Sequence, residues 1–124
     1  MSKTNFENLE VCQLSEKLAD AIWYVVAEWD FFAKDTVAKQ LVRAADSVGA
    51  NLAEGMGRST YKDNLRFISY ARGSLYEVKH FLRRAQKRHL LTNEQIEQIR
   101  PVLDELLPRL NAYRRSIQNM TKNN

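Results

Sequence analysis

The chain has 124 residues, a formal net charge of +4 and a single cysteine, Cys12. This length suits one domain, and a lone cysteine excludes an internal disulfide and a cysteine-rich zinc site. No apolar run approaches the roughly 18 residues that a membrane helix needs. The polar start from Met1 to Asn5 lacks the apolar core of a signal peptide, so we expect a cytoplasmic protein with no membrane partner.

The charge is unevenly divided along the chain. Residues 1–36 contain three lysines against seven acidic residues, whereas residues 37–124 contain sixteen Lys or Arg against eight acidic residues. A basic body suggests a polyanionic partner, and the acidic first third fits equally an oligomer whose subunits dock through opposite charges.

Apolar residues recur at spacings of three and four along most of the chain. This period predicts four amphipathic helices in one domain of residues 1–124, at about residues 9–28, 37–55, 61–88 and 93–119. The apolar stripe of each helix includes, in chain order, Leu18, Leu52, Leu75 and Leu106. Short connections between such helices predict an all-α, up-down-up-down antiparallel four-helix bundle.

The first two predicted helices have simple start and stop signals. Asn8 is a candidate N-cap of the first helix, and Asp35 or Thr36 is a candidate N-cap of the second. Between them, residues 29–35 lose the helical period, and we interpret their aromatic side chains as a plug at the end of the bundle. The second helix should stop at residues 55–57, where glycine tolerates the left-handed conformation that ends helices.

The last two predicted helices begin at capping boxes. Thr60 with Asp63 gives a shortened version, and residues 92–95 give a complete one. Gly73 lies inside the third helix, where it costs about 1 kcal/mol relative to alanine, so we expect another helix to approach it closely. Two prolines lie off the apolar stripe of the fourth helix, which we therefore expect to be one bent helix.

Polar residues run beside the apolar stripe of the second helix, in a series that we call the polar stripe. It consists of Arg43, Ser47, Asn51, Glu54 and Arg58. On the third helix, Arg72 and Glu77 could face it. One interpretation is a ligand site. The other, which we favour, is a structural network of hydrogen bonds and ion pairs, because the planar guanidinium group of arginine meets glutamate in two bonds.

The densest positive charge lies at the end of the third helix, in residues 79–89. We call its five cations the basic segment: Lys79, Arg83, Arg84, Lys87 and Arg88. No acidic residue interrupts them, and like charges four residues apart repel within a helix. A nucleic acid would relieve this repulsion. The simpler explanation is that cations are stabilised at any helix C-terminus by the helix dipole.

Features of an enzyme are missing from the sequence. The two histidines are nine residues apart without a neighbouring cysteine or carboxylate cluster, so no metal site or other cofactor is indicated. No serine has a histidine at helical spacing that would act as a base. Residues 55–57 are too short for a phosphate loop and follow no strand.

The segments Ala50–Arg58 and Ala71–Glu77, with Arg43–Ala45 upstream, resemble the 23S ribosomal RNA intervening-sequence protein family. The opening residues 6–11 are similar to the start of that family. The resemblance implies a bacterial four-helix bundle that assembles as a homopentamer around a central channel. The family also includes the accessory variability determinant of diversity-generating retroelements, a basic pentamer that associates with a reverse transcriptase and nucleic acid.

From the residues and the resemblance together, we expect a non-enzymatic, closed homo-oligomer of five subunits. Its expected partners are further copies of itself, RNA or DNA, and a reverse transcriptase or another nucleoprotein. Two alternatives stay open at this point. One is a purely structural oligomer without a nucleic-acid role, and the other is an enzyme that uses the polar stripe.

Overall fold

The computed structural model describes residues 3–122, and within that range the side chains of residue 5 and residues 7–122. Met1 and Ser2, on which the expected absence of a signal peptide partly rested, lie outside the described residues, as do residues 123–124 at the end of the predicted domain. The described chain is all-helical, in agreement with the predicted four-helix bundle. None of the described helices is long and apolar enough to cross a membrane.

Four long helices are joined by short connections. The elements are α1 (Lys3–Val26), α2 (Phe31–Ala33), a π-helical segment (Lys34–Ala38), α3 (Lys39–Met56), α4 (Tyr61–Lys87) and α5 (Asn93–Lys122). The short α2, the π-helical segment and α3 follow one another without a break. The main contacts of α1 are with α3 and α5, and α4 packs against the same two helices, so α1 and α4 occupy diagonal corners of the bundle.

Neighbouring helices run antiparallel. On α5, Ser116 donates a hydrogen bond of 2.8 Å to Glu7, and Arg109 forms an ion pair of 2.7 Å with Glu10. Residue numbers therefore rise along α5 in the direction in which they fall along α1, so the two helices are antiparallel. The four predicted apolar stripes meet in the core between the helices, where Leu18, Leu52, Leu75 and Leu106 are fully buried.

The first two helices begin earlier than predicted. Asn8 is not an N-cap, because α1 already begins at Lys3 and Asn8 is buried inside it. Asp30 caps the second helical stretch, where its carboxylate accepts a 2.8 Å hydrogen bond from the backbone N–H of Ala33. Asp35 is therefore too late in the chain to be the cap, and it pairs with Lys39 one turn further on.

The caps predicted for the last two helices are confirmed. The Thr60 hydroxyl accepts a hydrogen bond of 3.1 Å from the backbone of Asp63. Thr92 and Gln95 form a complete reciprocal box, since each backbone N–H bonds to the side-chain oxygen of the other residue, at 3.0 and 3.1 Å. The two prolines lie within one helix, α5, as expected.

Glycine in the left-handed conformation, which we expected to end the second predicted helix, is not what ends it. The helix α3 does end at Met56, but Gly57 behind it has an ordinary φ of −82°. The left-handed residue is instead His89, with φ of 61°, just after α4. Its N–H bonds to the carbonyl of Gln86, and the next N–H, of Leu90, bonds to that of Ala85, which is the pattern of a Schellman motif.

Two glycines have opposite surroundings. A Cβ atom at Gly55 would collide with the side-chain oxygen of Asn64 and lie 2.9 Å from Cβ of Phe67, so α3 and α4 meet here only because the side chain is missing. At Gly73, apart from its chain neighbours and the nearby backbone of α4, no described atom lies within 4 Å of the corresponding position. The close approach expected at Gly73 is therefore wrong within the subunit.

We expect alanine substitutions at these two glycines to change stability in opposite directions. Gly55→Ala should lower the free energy of unfolding by about 1–3 kcal/mol, because overpacking forces the helices apart. Gly73→Ala should raise it by about 0.5–1 kcal/mol, because alanine favours the helix. Urea denaturation followed by circular dichroism measures both. A Gly55→Ala protein as stable as the wild type would contradict the described packing.

Candidate nucleic-acid interface

The basic segment forms the last part of α4, where the core residues Leu82 and Ala85 hold the helix against the bundle. Arg83, Arg84 and Lys87 are exposed, and Arg88, just after the helix, is exposed too. Lys79 is half-buried, with its ammonium group 5.9 Å from the ring centroid of Tyr76. The charges therefore face solvent while the apolar residues between them anchor the helix.

The five cations do not share one face of α4. Lys79 and Arg83 line a groove of about 300 Å³ between α4 and α5, together with Arg100 and Asp104. Arg88 lies five residues after Arg83, roughly 140° further around the helix axis. The basic segment therefore wraps around the outer half of α4 and faces both neighbouring helices.

On the other side of α4, Arg88 borders a second hollow. This hollow has a volume of about 430 Å³. It is also bordered by Asp30 and Phe32, which lie where the connection after α1 enters α2, and by Leu90 in the connection between α4 and α5. One carboxylate oxygen of Asp30 already accepts the capping hydrogen bond from the backbone N–H of Ala33. Cationic and aromatic side chains thus meet at the end of the bundle where α4 ends and α5 begins.

The basic segment lacks acidic partners. In the part of the chain that the structure describes, none of its five cations forms an ion pair. By contrast, Arg58 pairs with Glu54, Arg66 pairs with Asp63, and Arg109 bridges two glutamates. The described part of the subunit therefore leaves the cations of the basic segment without an ion-pair partner.

The polar stripe does not form the single network that we expected. Arg58 pairs with Glu54 and lies over the ring of Phe67, 4.5 Å from its centroid. Asn51 only donates to the backbone carbonyl of Ser47, one turn earlier. Arg43 is exposed near the start of α3, where it borders a different groove.

The two residues of α4 that we expected opposite the polar stripe also lie elsewhere. Arg72 faces α5, where its Nε donates a 2.9 Å hydrogen bond to Asn111. Glu77 is exposed and makes no hydrogen bond or ion pair with a described residue. Arg72 lies five residues after Phe67, so the two side chains point to different neighbours of α4. Our expectation fails because spacing within one helix does not identify the helix that it faces.

A buried polar cluster that was not predicted from the sequence lies at the opposite end of the bundle. Tyr113 of α5 is fully buried, and its hydroxyl accepts hydrogen bonds from the amides of Asn8 (3.0 Å) and Asn64 (3.2 Å). The same hydroxyl donates to the sulfur of Met56 at 3.6 Å. Tyr113 has the spacing of an apolar stripe residue, and only the folded chain shows what its hydroxyl contacts.

Burial also changes the acidity of two groups in this region. It raises the pKa of Tyr113, although the two amide donors oppose the effect by stabilising the phenolate. Burial, and then the negative charge of Glu16, raise the pKa of the Cys12 thiol. Both groups are therefore held in their neutral forms, which suits a structural role rather than that of a nucleophile.

Exposed aromatic residues are the second feature that sequence analysis missed. Phe31 and Phe32 are 80% and 77% exposed, so our interpretation of them as a plug is wrong, and Trp29 is the one aromatic residue of that segment that is buried. Trp23 is 57% exposed and borders a groove of about 680 Å³ between α1 and the start of α3. The loss of the helical period at residues 29–35 was the sequence signal that could have indicated exposed aromatic side chains there.

The described residues contain no group of three or more His, Cys, Asp or Glu side chains placed to hold a metal ion. The hollow beside the buried polar cluster, of about 470 Å³, is bordered by Gly55, Met56 and Arg58 at the turn into α4. It contains a cation and helix-capping residues but no arrangement of nucleophile and base. The basic end of the bundle is thus the better candidate for a binding surface.

Comparison with known proteins points to one family. The model of the 23S rRNA-intervening sequence proteins matches residues 7–112. A similar solved structure is that of a protein of unknown function from the S23 ribosomal protein family of Bacteroides thetaiotaomicron VPI-5482. It has a TM-score of 0.74 and 21% sequence identity, and the match covers 88% of this chain and 98% of that one. No curated protein matches the chain.

We expect Tyr113→Phe to destabilise the bundle by about 1–3 kcal/mol at neutral pH, because two buried amides lose their acceptor. The raised pKa adds a pH dependence. The wild type keeps this part of its stability below the ordinary tyrosine pKa, near 10, and loses it as the pH rises through the folded-state value. Urea denaturation at increasing alkaline pH should therefore show a smaller loss for Tyr113→Phe.

The matched control is Tyr61→Phe, because Tyr61 is exposed. It should leave the free energy of unfolding at neutral pH unchanged. Equal effects of the two substitutions would show that the buried hydroxyl does not hold the helices together.

Proposed function

The chain belongs to the 23S rRNA-intervening sequence protein family, and we propose that it is a non-enzymatic homo-oligomer that binds nucleic acid. In this proposal it acts in the cytoplasm on RNA or DNA, alone or within a nucleoprotein that includes a reverse transcriptase or a similar enzyme. The fold supplies a rigid frame, and the basic segment supplies the contact.

The observation that carries this proposal is the set of unneutralised cations at one end of the bundle. Arg83, Arg84, Lys87 and Arg88 are exposed and form no ion pair with described residues. Arginine is well suited to phosphate because its planar guanidinium group donates two parallel hydrogen bonds. The segment offers charge rather than a set of base-reading side chains, so binding should depend little on sequence.

Assembly would multiply these contacts. Five copies of a chain with a net charge of +4 carry +20, and the five basic segments would recur around the ring. Weak phosphate contacts that act together give a much higher overall affinity than one contact alone. The number five comes from the resemblance to the family, and the exposed apolar surface between α1 and α3 supports a subunit contact.

A second candidate function rests on that same apolar surface. The groove bordered by Trp23, Val26 and Val42 is exposed in the single subunit. Large exposed apolar patches usually mark protein interfaces. The protein would then be a purely structural oligomer, and its cations would be an ordinary solvated surface.

We expect the wild-type protein to bind RNA and DNA at low ionic strength and to lose affinity steeply with added salt, because neutralised phosphates release counterions. Replacing Arg83, Arg84, Lys87 and Arg88 by Gln should abolish this binding. Fluorescence anisotropy with labelled oligonucleotides at low and high salt measures both effects.

The control removes the same charge elsewhere, at Lys17, Lys62, Arg115 and Lys122, which are exposed and form no ion pair with described residues. This control variant should keep most of the affinity, and both variants should keep the wild-type mass. If the wild type shows no salt-sensitive binding, or both variants bind equally well, the structural alternative replaces the proposal.

We also expect an oligomer in solution, since the groove at Trp23 leaves apolar surface in contact with water. Light scattering coupled to size exclusion should give about five times the subunit mass of 14.4 kDa. Trp23→Lys should dissociate the assembly without unfolding α1, because Trp23 is not part of the core. A monomer at micromolar concentration would refute the assembly and leave nucleic-acid binding as a separate question.

A further inference from the structure

Two neighbouring phenylalanines stand out from the surface at the basic end of the bundle. Phe31 and Phe32 are more exposed than any other large apolar side chain in the described residues. Their backbone is nevertheless fixed, because Asp30 caps the helix and the adjacent Trp29 and Ala33 are buried. The protein therefore holds two apolar rings in water at a defined place, where burial of either would be favourable.

Phe32 and Arg88 border the same hollow. Its floor is apolar, formed by Ala33, Val37 and Leu90, and its volume of about 430 Å³ falls in the range of small-ligand pockets. Arg84 lies one turn before Arg88, and neither forms an ion pair with a described residue. The left-handed His89 ends α4 immediately after Arg88, which fixes the position of this cation beside the hollow.

We propose that this end of the bundle binds single-stranded rather than double-stranded nucleic acid, with bases stacked on Phe32 and Phe31 and phosphates held by Arg88 and Arg84. The inference rests on the proposed nucleic-acid function and names its substrate class. Exposed aromatic rings beside a cationic surface are the usual means of binding single strands, because every base has a flat face. Bases inside a duplex already stack on one another and do not reach such a ring.

The acidic residue of the hollow agrees with this orientation. Asp30 borders the hollow together with Phe32 and Arg88, and one of its carboxylate oxygens accepts the capping bond from the backbone N–H of Ala33. Phosphates are repelled from Asp30 and attracted to Arg88, so the strand would place its backbone along α4 and its bases towards α2.

The test compares a labelled oligouridine strand with a duplex of equal length, by fluorescence anisotropy at low salt on the assembled protein. The wild type should bind the single strand more tightly than the duplex. The double variant Phe31→Ala/Phe32→Ala should lose about tenfold or more in affinity for the single strand and leave the weaker duplex binding unchanged. Phe32→Trp should retain single-strand binding, since a larger ring stacks at least as well. The control Tyr61→Ala/Tyr70→Ala removes two exposed aromatic rings from the first part of α4, away from the basic segment, and should have no effect.

Three outcomes would overturn the inference, and they differ in whether the proposed nucleic-acid function also fails. If the Phe31→Ala/Phe32→Ala variant binds the single strand as tightly as the wild type, stacking is refuted while the proposed function stands. If that variant changes the mass of the assembly, the two rings are a subunit contact rather than a base platform. If the wild type binds neither the strand nor the duplex, the proposed function fails as well.

Discussion

The arrangement of the bundle depends on one buried hydroxyl group that connects all four long helices. Tyr113 on α5 receives hydrogen bonds from Asn8 on α1 and Asn64 on α4, and Met56 at the end of α3 accepts from it. Apolar stripes alone allow neighbouring helices to slide by a turn at small cost, because one leucine replaces another. A polar atom buried without its partner costs far more, so this cluster selects one register for the whole bundle. The missing side chain of Gly55 allows the approach of α3 and α4 that brings the cluster together.

This arrangement gives the two ends of the bundle different tasks. The end with Tyr113 is closed by hydrogen bonds and by the ion pairs around Arg58. The opposite end keeps four exposed cations of the basic segment and several aromatic rings in contact with water, where they contribute little to the stability of the subunit. Side chains that do not stabilise the fold are available for binding. The hydrogen-bonded end with Tyr113 keeps the bundle rigid, so these side chains keep their positions without a bound partner.

Much of the fold follows from the sequence because the core obeys a simple period. Leu52 and Leu75 lie where the spacing of apolar residues predicts, and the caps at Thr60 and Thr92 form bonds within a few residues of themselves. The contacts that escaped prediction connect distant parts of the chain. Tyr113 and Asn8 are 105 residues apart, and Arg72 turns to α5 rather than α3. The basic segment was recognisable from its charge, but its division between two grooves depends on which helices flank α4.

The half-buried Cys12 has a practical consequence for experiments on this molecule. Its thiol is held in the protonated form by its surroundings, and thiolate is the form that reacts with maleimides and iodoacetamide. The natural cysteine should therefore react slowly with such dyes while the protein is folded. A cysteine introduced at an exposed site without neighbours, such as position 73, would react much faster. Fluorophores for distance measurements within an assembly can thus be attached selectively without first removing the natural thiol.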